Sequence, residues 1–168
     1  MSHSACNRIL VVSYITVLLA AVLTTMFPAS VIASGSTEQF QLFNECRPMN
    51  LFITLKDSDD TGLTKERIQI AAESRLRSAR LYTATLNFTN GVLWISVHGV
   101  EQAFQINASY MKVLFDPVSE QSFPAVTWSE SATGIHARDA AFILQGVSEL
   151  LDKFILEYLR VNEAACSS

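Results

Sequence analysis

Glycine and basic charge are both scarce in this chain. Only 6 of its 168 residues are glycine, and they are not clustered into the Gly-rich phosphate loop of nucleotide-binding proteins. The 12 lysines and arginines are outnumbered by 16 aspartates and glutamates, which gives a net charge of −4. Because a nucleic-acid-binding protein normally carries a basic stripe, the composition argues against a nucleic-acid partner.

Complete catalytic motifs are absent as well. The sequence has no Gly-flanked nucleophilic serine, and its cysteines lack the nearby ligands that complete a zinc site. The tightest constellation is His136-Ala-Arg-Asp139, close to Glu130. A histidine and an aspartate three residues apart on one helix could act as a base and its orienting carboxylate, or supply two metal ligands. We keep His136, Asp139 and Glu130 as candidates, although Asp139 also fits the first turn of a helix. We expect no cofactor.

One long apolar run lies near the N-terminus. Residues 9–27 are mostly apolar, Arg8 precedes them, and Pro28 and then Val31-Ile32-Ala33 follow. A cation, an apolar segment and small residues in this order are typical of a secretory signal peptide. We predict cleavage after Ala33 and a periplasmic or secreted protein. The alternative is an uncleaved inner-membrane anchor, since about 19 apolar residues approach the roughly 20 that span a bilayer. We expect contact with a membrane only in that case.

Export would change the cysteine count. Removal of residues 1–33 would remove Cys6 and leave Cys46 and Cys166, one near each end of the remaining chain. In an oxidising compartment we expect these two cysteines to form a disulfide. The chain-entropy model gives such a loop, about 120 residues long, roughly 4–5 kcal/mol of stabilisation.

Apolar periodicity predicts a single α+β domain over residues 46–166, preceded by a flexible leader at 34–45. The predicted strands are 50–56, 92–97, 103–115 and 125–129, with a weaker extended segment at 82–89. The predicted helices are one capped by Thr64 and ending near Arg80, and one over 137–162. The order β-α-β-β-β-α predicts a two-layer fold in which two helices cover one face of an antiparallel four-stranded sheet.

Two connecting segments and one helix surface complete the prediction. The acidic residues 57–62 lack the ligand spacing of an EF-hand and are read as a solvated turn rather than a calcium loop. The small residues from Glu130 to His136 are read as a loop. Phe142 and Leu156 fall on the otherwise polar back of the last helix, and they are our candidate partner surface.

Three segments resemble an uncharacterised group of small exported, proteobacterial-type proteins. They are Glu73–Leu81, the pair Thr127-Trp128 with Thr133-Gly134, and Leu151–Asn162. The resemblance covers most of residues 46–166 and implies an extracytoplasmic setting, but it brings no activity, ligand or catalytic residue.

Three functional hypotheses follow from the sequence. The preferred one is a non-catalytic envelope protein that binds a protein or small ligand through its open sheet face or the back of its last helix. The alternatives are a small hydrolase or metal-dependent enzyme in the His136/Asp139 region, and a membrane-anchored accessory subunit.

Overall fold

A four-stranded sheet is the centre of the fold. The computed structural model of the chain describes residues 31–57, 61–100, 102–135 and 138–167. The strands are β1 (Asn50–Asp57), β2 (Val92–Val100), β3 (Ala103–Asp116) and β4 (Gln121–Ile135). The helices are α1 (Val31–Leu42), α2 (Lys65–Ser78), α3 (Ala140–Val161) and α4 (Glu163–Cys166), with a 3-10 turn at Phe88–Asn90. The chain divides into two compact units, Met1–Ser36 and Thr37–Ser168, and the second contains the whole sheet.

The predicted α+β class is confirmed, with one correction to the strand directions. The strand order is β1-β2-β3-β4. Strands β2, β3 and β4 form an antiparallel meander, whereas β1 pairs with β2 in parallel. The prediction that all four strands are antiparallel is therefore wrong in this detail. The reason is the connection, because β1 reaches β2 through helix α2, and a helical crossover of this length lets two neighbouring strands run in the same direction.

The core lies between the sheet and helices α2 and α3. Alternate residues of β2 and β3 point into it, and the predicted apolar stripes of both helices face them. The buried side chains include Leu93, Ile95, Val97, Ile106, Ala108, Tyr110, Ile68, Ala72, Leu76, Ile143, Val147, Leu151, Phe154 and Tyr158. Each large apolar side chain that is fully buried contributes roughly 1.5–3 kcal/mol. Thr64 caps α2 as predicted, with its side chain accepting a hydrogen bond from the Arg67 amide.

Two predicted boundaries differ from the structure. The segment 82–89 forms one bridge, between Met49 and Tyr82, and then the 3-10 turn. The Asn50 side chain explains this, because its amide donates to the Thr83 and Thr85 carbonyls and its oxygen accepts from the Asn87 amide. A side chain thus takes the hydrogen bonds that a neighbouring strand would use.

Strand β4 is also much longer than predicted. It begins at Gln121 and continues to Ile135, so residues 130–135 are strand rather than loop. Small residues made this segment resemble a loop, but β3 is 14 residues long and offers a partner as far as the Ala103–Ile135 pair. The predicted acidic turn at 57–62 includes residues 58–60, which lie outside the described residues.

Residues 37–45, predicted as part of a flexible leader, are instead ordered against the domain. Helix α1 continues to Leu42, whose side chain is 1% exposed. Glu38 forms an ion pair with Arg160 of α3 at 2.7 Å. The leader prediction overlooked Leu42, whose burial fixes the end of α1.

The signal peptide itself stays a prediction. The predicted cleavage position after Ala33 falls within α1 of the full chain, and residues 9–27 lie outside the described residues. In the part of the chain that the structure describes, no helix is long and apolar enough to cross a membrane.

The two ends of the domain meet at one junction. Cys46 and Cys166, the predicted pair, are joined by a disulfide that closes a loop with a sequence separation of 120. Beside it, Asn162 is 1% exposed. Its side-chain oxygen accepts from the Asn44 amide at 2.8 Å, and its side-chain nitrogen donates to the Leu42 carbonyl at 3.0 Å and to the Tyr158 carbonyl at 2.9 Å. One buried amide thus fastens the entry segment to the end of α3.

Asn162→Ala should lower the free energy of unfolding by about 2–3 kcal/mol, because it leaves buried backbone groups of Leu42 and Asn44 without their partner. Urea denaturation of the oxidised protein measures this. Asn107→Ala, on the exposed face of β3, is the control and should cost under about 1 kcal/mol. Equal losses in the two variants would contradict a special role for Asn162.

Two tyrosines are buried in the core near this junction. The rings of Tyr110 and Tyr158 lie 5.9 Å apart, and Phe154 packs against both. Burial raises the pKa of Tyr158 to about 12. Burial, together with the neighbouring Tyr158, also raises the pKa of Tyr110 well above its usual range. The folded state therefore keeps these protons at a pH where the unfolded chain releases them.

The free energy of unfolding should consequently fall as the pH rises from about 10 to 12, by roughly 1.4 kcal/mol per pH unit for each retained proton. Below pH 10 both states keep the tyrosine protons, so these groups leave stability unchanged there. Tyr158→Phe should reduce the slope by about one proton, measured by urea denaturation at each pH. The same slope in the variant and the parent protein would contradict this account.

Candidate functional site

Two of the three residues predicted as an enzymatic site, Glu130 and Asp139, have separate structural partners. Glu130, on β4, forms an ion pair with Lys153 of α3 at 2.8 Å, and this contact raises the pKa of the Lys153 ammonium. Asp139 caps the start of α3 by accepting a hydrogen bond from the Ala141 amide at 2.8 Å. His136 lies outside the described residues.

The structure does not bring Glu130 and Asp139 together. Asp139 lies at the start of α3, and Lys153, the partner of Glu130, comes 14 residues later. At about 1.5 Å per residue these two points are roughly 21 Å apart along the helix. Among the described residues there is also no group of three acidic, histidine or cysteine side chains that could hold a metal ion.

The predicted partner surface on α3 is also divided. Phe142 packs edge-on against Phe104, with ring centroids 5.8 Å apart, so part of its ring belongs to the core boundary. Leu156 is exposed but lies 14 residues further along the helix, again about 21 Å away. The two side chains are exposed apolar residues at separate places rather than one patch.

A larger candidate surface lies on the other side of the sheet. Helices α2 and α3 pack on the inward positions of the strands, and the alternate positions point away from them. We call this outward surface the open face. From β1 to β4 it carries Phe52, Thr54, Lys56, Trp94, Ser96, His98, Gln105, Asn107, Ser109, Ser129, Ser131 and Thr133.

Three aromatic side chains form a strip across the open face. Phe52 and Trp94 are register partners on β1 and β2. Phe88, from the 3-10 turn, stacks on Phe52 with ring centroids 6.4 Å apart and an angle of 16° between the rings. These three residues, the aromatic strip, are between 40% and 51% exposed. The Trp94 indole N–H donates to the Thr54 hydroxyl at 3.0 Å, which fixes the orientation of the ring.

Polar side chains that are already paired with one another lie beside the aromatic strip. The Asn107 amide donates to the Ser129 hydroxyl at 3.2 Å, and the Ser109 hydroxyl donates to the Asn107 oxygen at 2.6 Å. A shallow depression continues from here toward the far end of the face, lined by side chains that include Thr54, Lys56, Ser96, His98, Gln105 and Asn107. Of the open-face residues named above, Lys56 alone is of a fully charged type, since the others include no aspartate, glutamate or arginine.

At the opposite end the sheet narrows to a hairpin. Strand β2 begins at Val92, which pairs with Met111, so the β3–β4 ribbon from 112 to 125 continues without β2. We call this ribbon the arm. Val113 and Phe115 project from its open-face side, and Leu114 and Phe123 from the other. Lys112 holds the base of the arm, because its ammonium contacts the Phe40 carbonyl and lies 3.3 Å from the Phe43 carbonyl.

Comparisons with known proteins add no assignment. No family model matches the chain, and no curated protein matches it. Its fold is similar to a proposed lipoprotein from Caulobacter crescentus CB15, with 14% identity and a TM-score of 0.30 over 80% of this chain and 96% of that one. It is also similar to rare lipoprotein B from Shewanella oneidensis, with 14% identity and a TM-score of 0.24 over 70% of this chain and 95% of that one. At these values neither likeness identifies a family or a function.

Thr54→Val should release the Trp94 ring while leaving the fold intact, because it removes only the acceptor of the indole N–H on an exposed surface. We expect faster local rotation of Trp94 in fluorescence anisotropy decay, measured in a Trp128→Phe background, and a stability loss within about 1 kcal/mol. Thr133→Val, on β4 of the same face, should leave the anisotropy decay unchanged. An unchanged decay in Thr54→Val would mean that packing alone holds the ring.

Proposed function

We propose that this chain is an exported envelope protein, periplasmic or secreted, that works as a non-catalytic binding module through the open face. The observation that carries the proposal is the aromatic strip. Solvent-exposed aromatic side chains grouped on a flat surface are typical of interaction sites, since they offer large contact areas at low entropic cost. In this protein the hydrogen bond from Trp94 to Thr54 holds one of them in a set orientation before any partner arrives.

The structural contacts of the other candidate residues support a binding function over a catalytic one. Glu130 pairs with Lys153, and Asp139 caps the start of α3. Because Lys153 lies 14 residues along α3, the two carboxylates are far apart. The hydrolase hypothesis therefore loses the pairing of Glu130 with Asp139 on which it partly relied. The open face, in contrast, combines an apolar strip, hydrogen-bonding side chains and almost no charge.

The proposed compartment is supported by three features of the chain. The apolar run with small residues after it is typical of an export signal. The disulfide between Cys46 and Cys166 suits an oxidising compartment. The resemblance of Glu73–Leu81 and the two later segments to exported bacterial proteins points the same way. Intact-protein mass spectrometry that shows a chain beginning near Ser34, with no free thiol, would support export. A full-length cytoplasmic protein with free thiols would contradict it.

The binding surface can be tested by photocrosslinking in cells. A benzophenone amino acid at position 94 replaces one aromatic ring with another on the open face, and the matched control carries it at Ile70, which is 70% exposed on α2. We expect crosslinked adducts from position 94 and few from position 70. Adducts from position 70 alone would move the binding surface to the helices, and the absence of adducts at both positions would contradict the binding function.

A further inference from the structure

We infer that the outer edge of β4 binds an extended segment of another protein, which joins the sheet as a fifth strand and places an apolar side chain in the groove between β4 and α3. The site uses the backbone of β4 and the helix side of the sheet, so it is separate from the open face and does not rest on the function proposed for that face. Strand addition is a recurrent mode of recognition, in which main-chain hydrogen bonds give affinity and side-chain pockets give specificity.

The hydrogen bonds of the sheet establish which backbone groups of β4 point outward. Successive residues of a strand direct their N–H and C=O groups to opposite neighbours. The Asn50 amide donates to the Gly91 carbonyl at 3.2 Å, so the even-numbered residues of β1 bond to β2, and those of β2 bond to β3. Through the register, the even-numbered residues of β4 from 128 to 134 bond to β3. The residues whose backbone groups point away from β3 are therefore Ser129, Ser131, Thr133 and Ile135.

These outward groups form an array that an extended chain complements. Strand β4 is the last in the sheet order, and within the described residues the one bridge outside the named strands joins Met49 to Tyr82. The four outward residues present N–H and C=O groups in pairs about 6.8 Å apart. A β-strand repeats its own donors and acceptors at the same interval, so the ligand that matches this array is another strand.

This half of the β4 edge also lacks the usual protection of an edge strand. Natural proteins block exposed edges with proline, with charged side chains or with a covering segment. The first half of β4 has Pro124 and a contact with the Gln41 carbonyl at the end of α1. Residues 129–135 contain no proline, and their one charged residue, Glu130, pairs with Lys153 on the helix side. The unprotected half is the part of the edge that can accept a strand.

A groove beside this edge offers a place for a side chain. A cavity of about 150 Å³ lies between the end of β4 and α3, and a cavity of about this volume can accommodate a benzene-sized group. Ala132 and Gly134 line its strand side, and their small size leaves the space open. Phe104 and Phe142 supply apolar walls, and Phe142 is 47% exposed. Alternate side chains of an added strand fall on the helix side of the sheet, next to this cavity.

The groove favours a different protein over a second copy of this chain. A second β4 paired with the first would present Glu130, Ala132 and Gly134 on the helix side. Its Trp128 is 6% exposed, and the indole N–H donates to Glu157 at 2.8 Å, so this ring belongs to its own core. A second copy thus has no free apolar side chain for the cavity. The partner we assign is an extended segment that carries an aromatic or branched apolar residue.

A titration of the full chain, recovered from cells, with a synthetic peptide tests the inference by amide NMR. The peptide has capped ends, a central phenylalanine, a lysine at each end and three threonines on either side of the phenylalanine. Its positive charge suits a protein with a net charge of −4. We expect a dissociation constant of about 1 mM or lower, with the largest shifts at the outward amides of β4. Replacement of the phenylalanine by alanine should raise the dissociation constant at least about tenfold.

A pair of variants at one edge position tests the backbone contacts. Ser131→Pro removes an outward N–H and places a ring where the added strand approaches, so it should raise the dissociation constant at least about tenfold. The fold should persist because this amide does not bond to β3, and far-UV circular dichroism checks it. Ser131→Ala keeps the N–H and should leave the dissociation constant unchanged.

A variant of the groove tests the same site without a change to the edge amides. Ala132→Leu fills the cavity from the strand side and leaves every outward N–H in place. It should remove the tenfold preference for the phenylalanine peptide over the alanine peptide. A preference that persists in Ala132→Leu would overturn the assignment of the groove.

Two N-methylated peptides test whether the ligand binds as a strand. In a strand the N–H of the phenylalanine points to the opposite side from the N–H groups of the two flanking threonines. Methylation of the phenylalanine nitrogen in one peptide, and of the two threonine nitrogens in the other, should therefore block binding in one peptide and not in the other. Equal binding by both would overturn the inference, as would the absence of binding by the parent peptide.

Two further outcomes would also overturn it. Shifts at the Trp94 indole N–H with unchanged β4 edge amides would place the peptide on the open face, so failure of the edge site is distinguishable from failure of the proposed function. A dimer of the peptide-free protein in sedimentation velocity, disrupted by Ser131→Pro, would make a second copy the occupant of the edge.

Discussion

The junction of the two chain ends constrains most of the structure. The disulfide between Cys46 and Cys166 holds the ends together, but a covalent bond alone leaves the neighbouring segments free to rotate. The amide of Asn162 removes that freedom by bonding the backbone of Leu42 and Asn44 on one side and of Tyr158 on the other. The entry into β1, the end of α1 and the last turn of α3 are thereby set relative to one another. A disulfide acts mainly on the unfolded ensemble, whereas the buried amide selects one folded arrangement.

The junction also reaches the open face through the start of β2. The Asn44 side chain donates to the Asn90 carbonyl, next to Gly91. Gly91 has a φ of +89°, and a Cβ atom there would lie 2.3 Å from the Tyr110 hydroxyl, so no other residue fits without displacing the core. The Gly91 amide donates to the Phe88 carbonyl at 3.2 Å. The turn that carries Phe88 is thus fixed between the core and the junction, and this is why the aromatic strip has a defined shape without being buried.

Sequence periodicity was sufficient to predict the features of the fold that depend on a single segment of the chain. Helices α2 and α3, the first three strands and the inward alternation of β2 and β3 follow from patterns of 3.6 and 2 residues, and the cysteine pair follows from counting. The parallel direction of β1, the full length of β4 and the packing of Leu42 depend on contacts with distant segments, which no local pattern records. The aromatic strip was missed for the same reason, because Phe52, Phe88 and Trp94 come from three elements and meet only through strand register. The grouping of Glu130 with Asp139 relied on proximity in sequence, whereas the strand that carries Glu130 runs back along α3 to Lys153 and leaves Asp139 at the start of that helix.

The exposed apolar side chains contribute little to the stability of a single copy. A half-exposed ring gains only part of the transfer free energy of full burial, and a two-stranded ribbon such as the arm is marginally stable in water by itself. The contacts of Lys112 with the carbonyls at the end of α1 hold the base of the arm, but Phe115 and Val118 extend beyond that support and are 63% and 92% exposed. A polar replacement at these positions would leave the core unchanged. The stability of the folded chain therefore gives no reason for the apolar character of the arm and the aromatic strip.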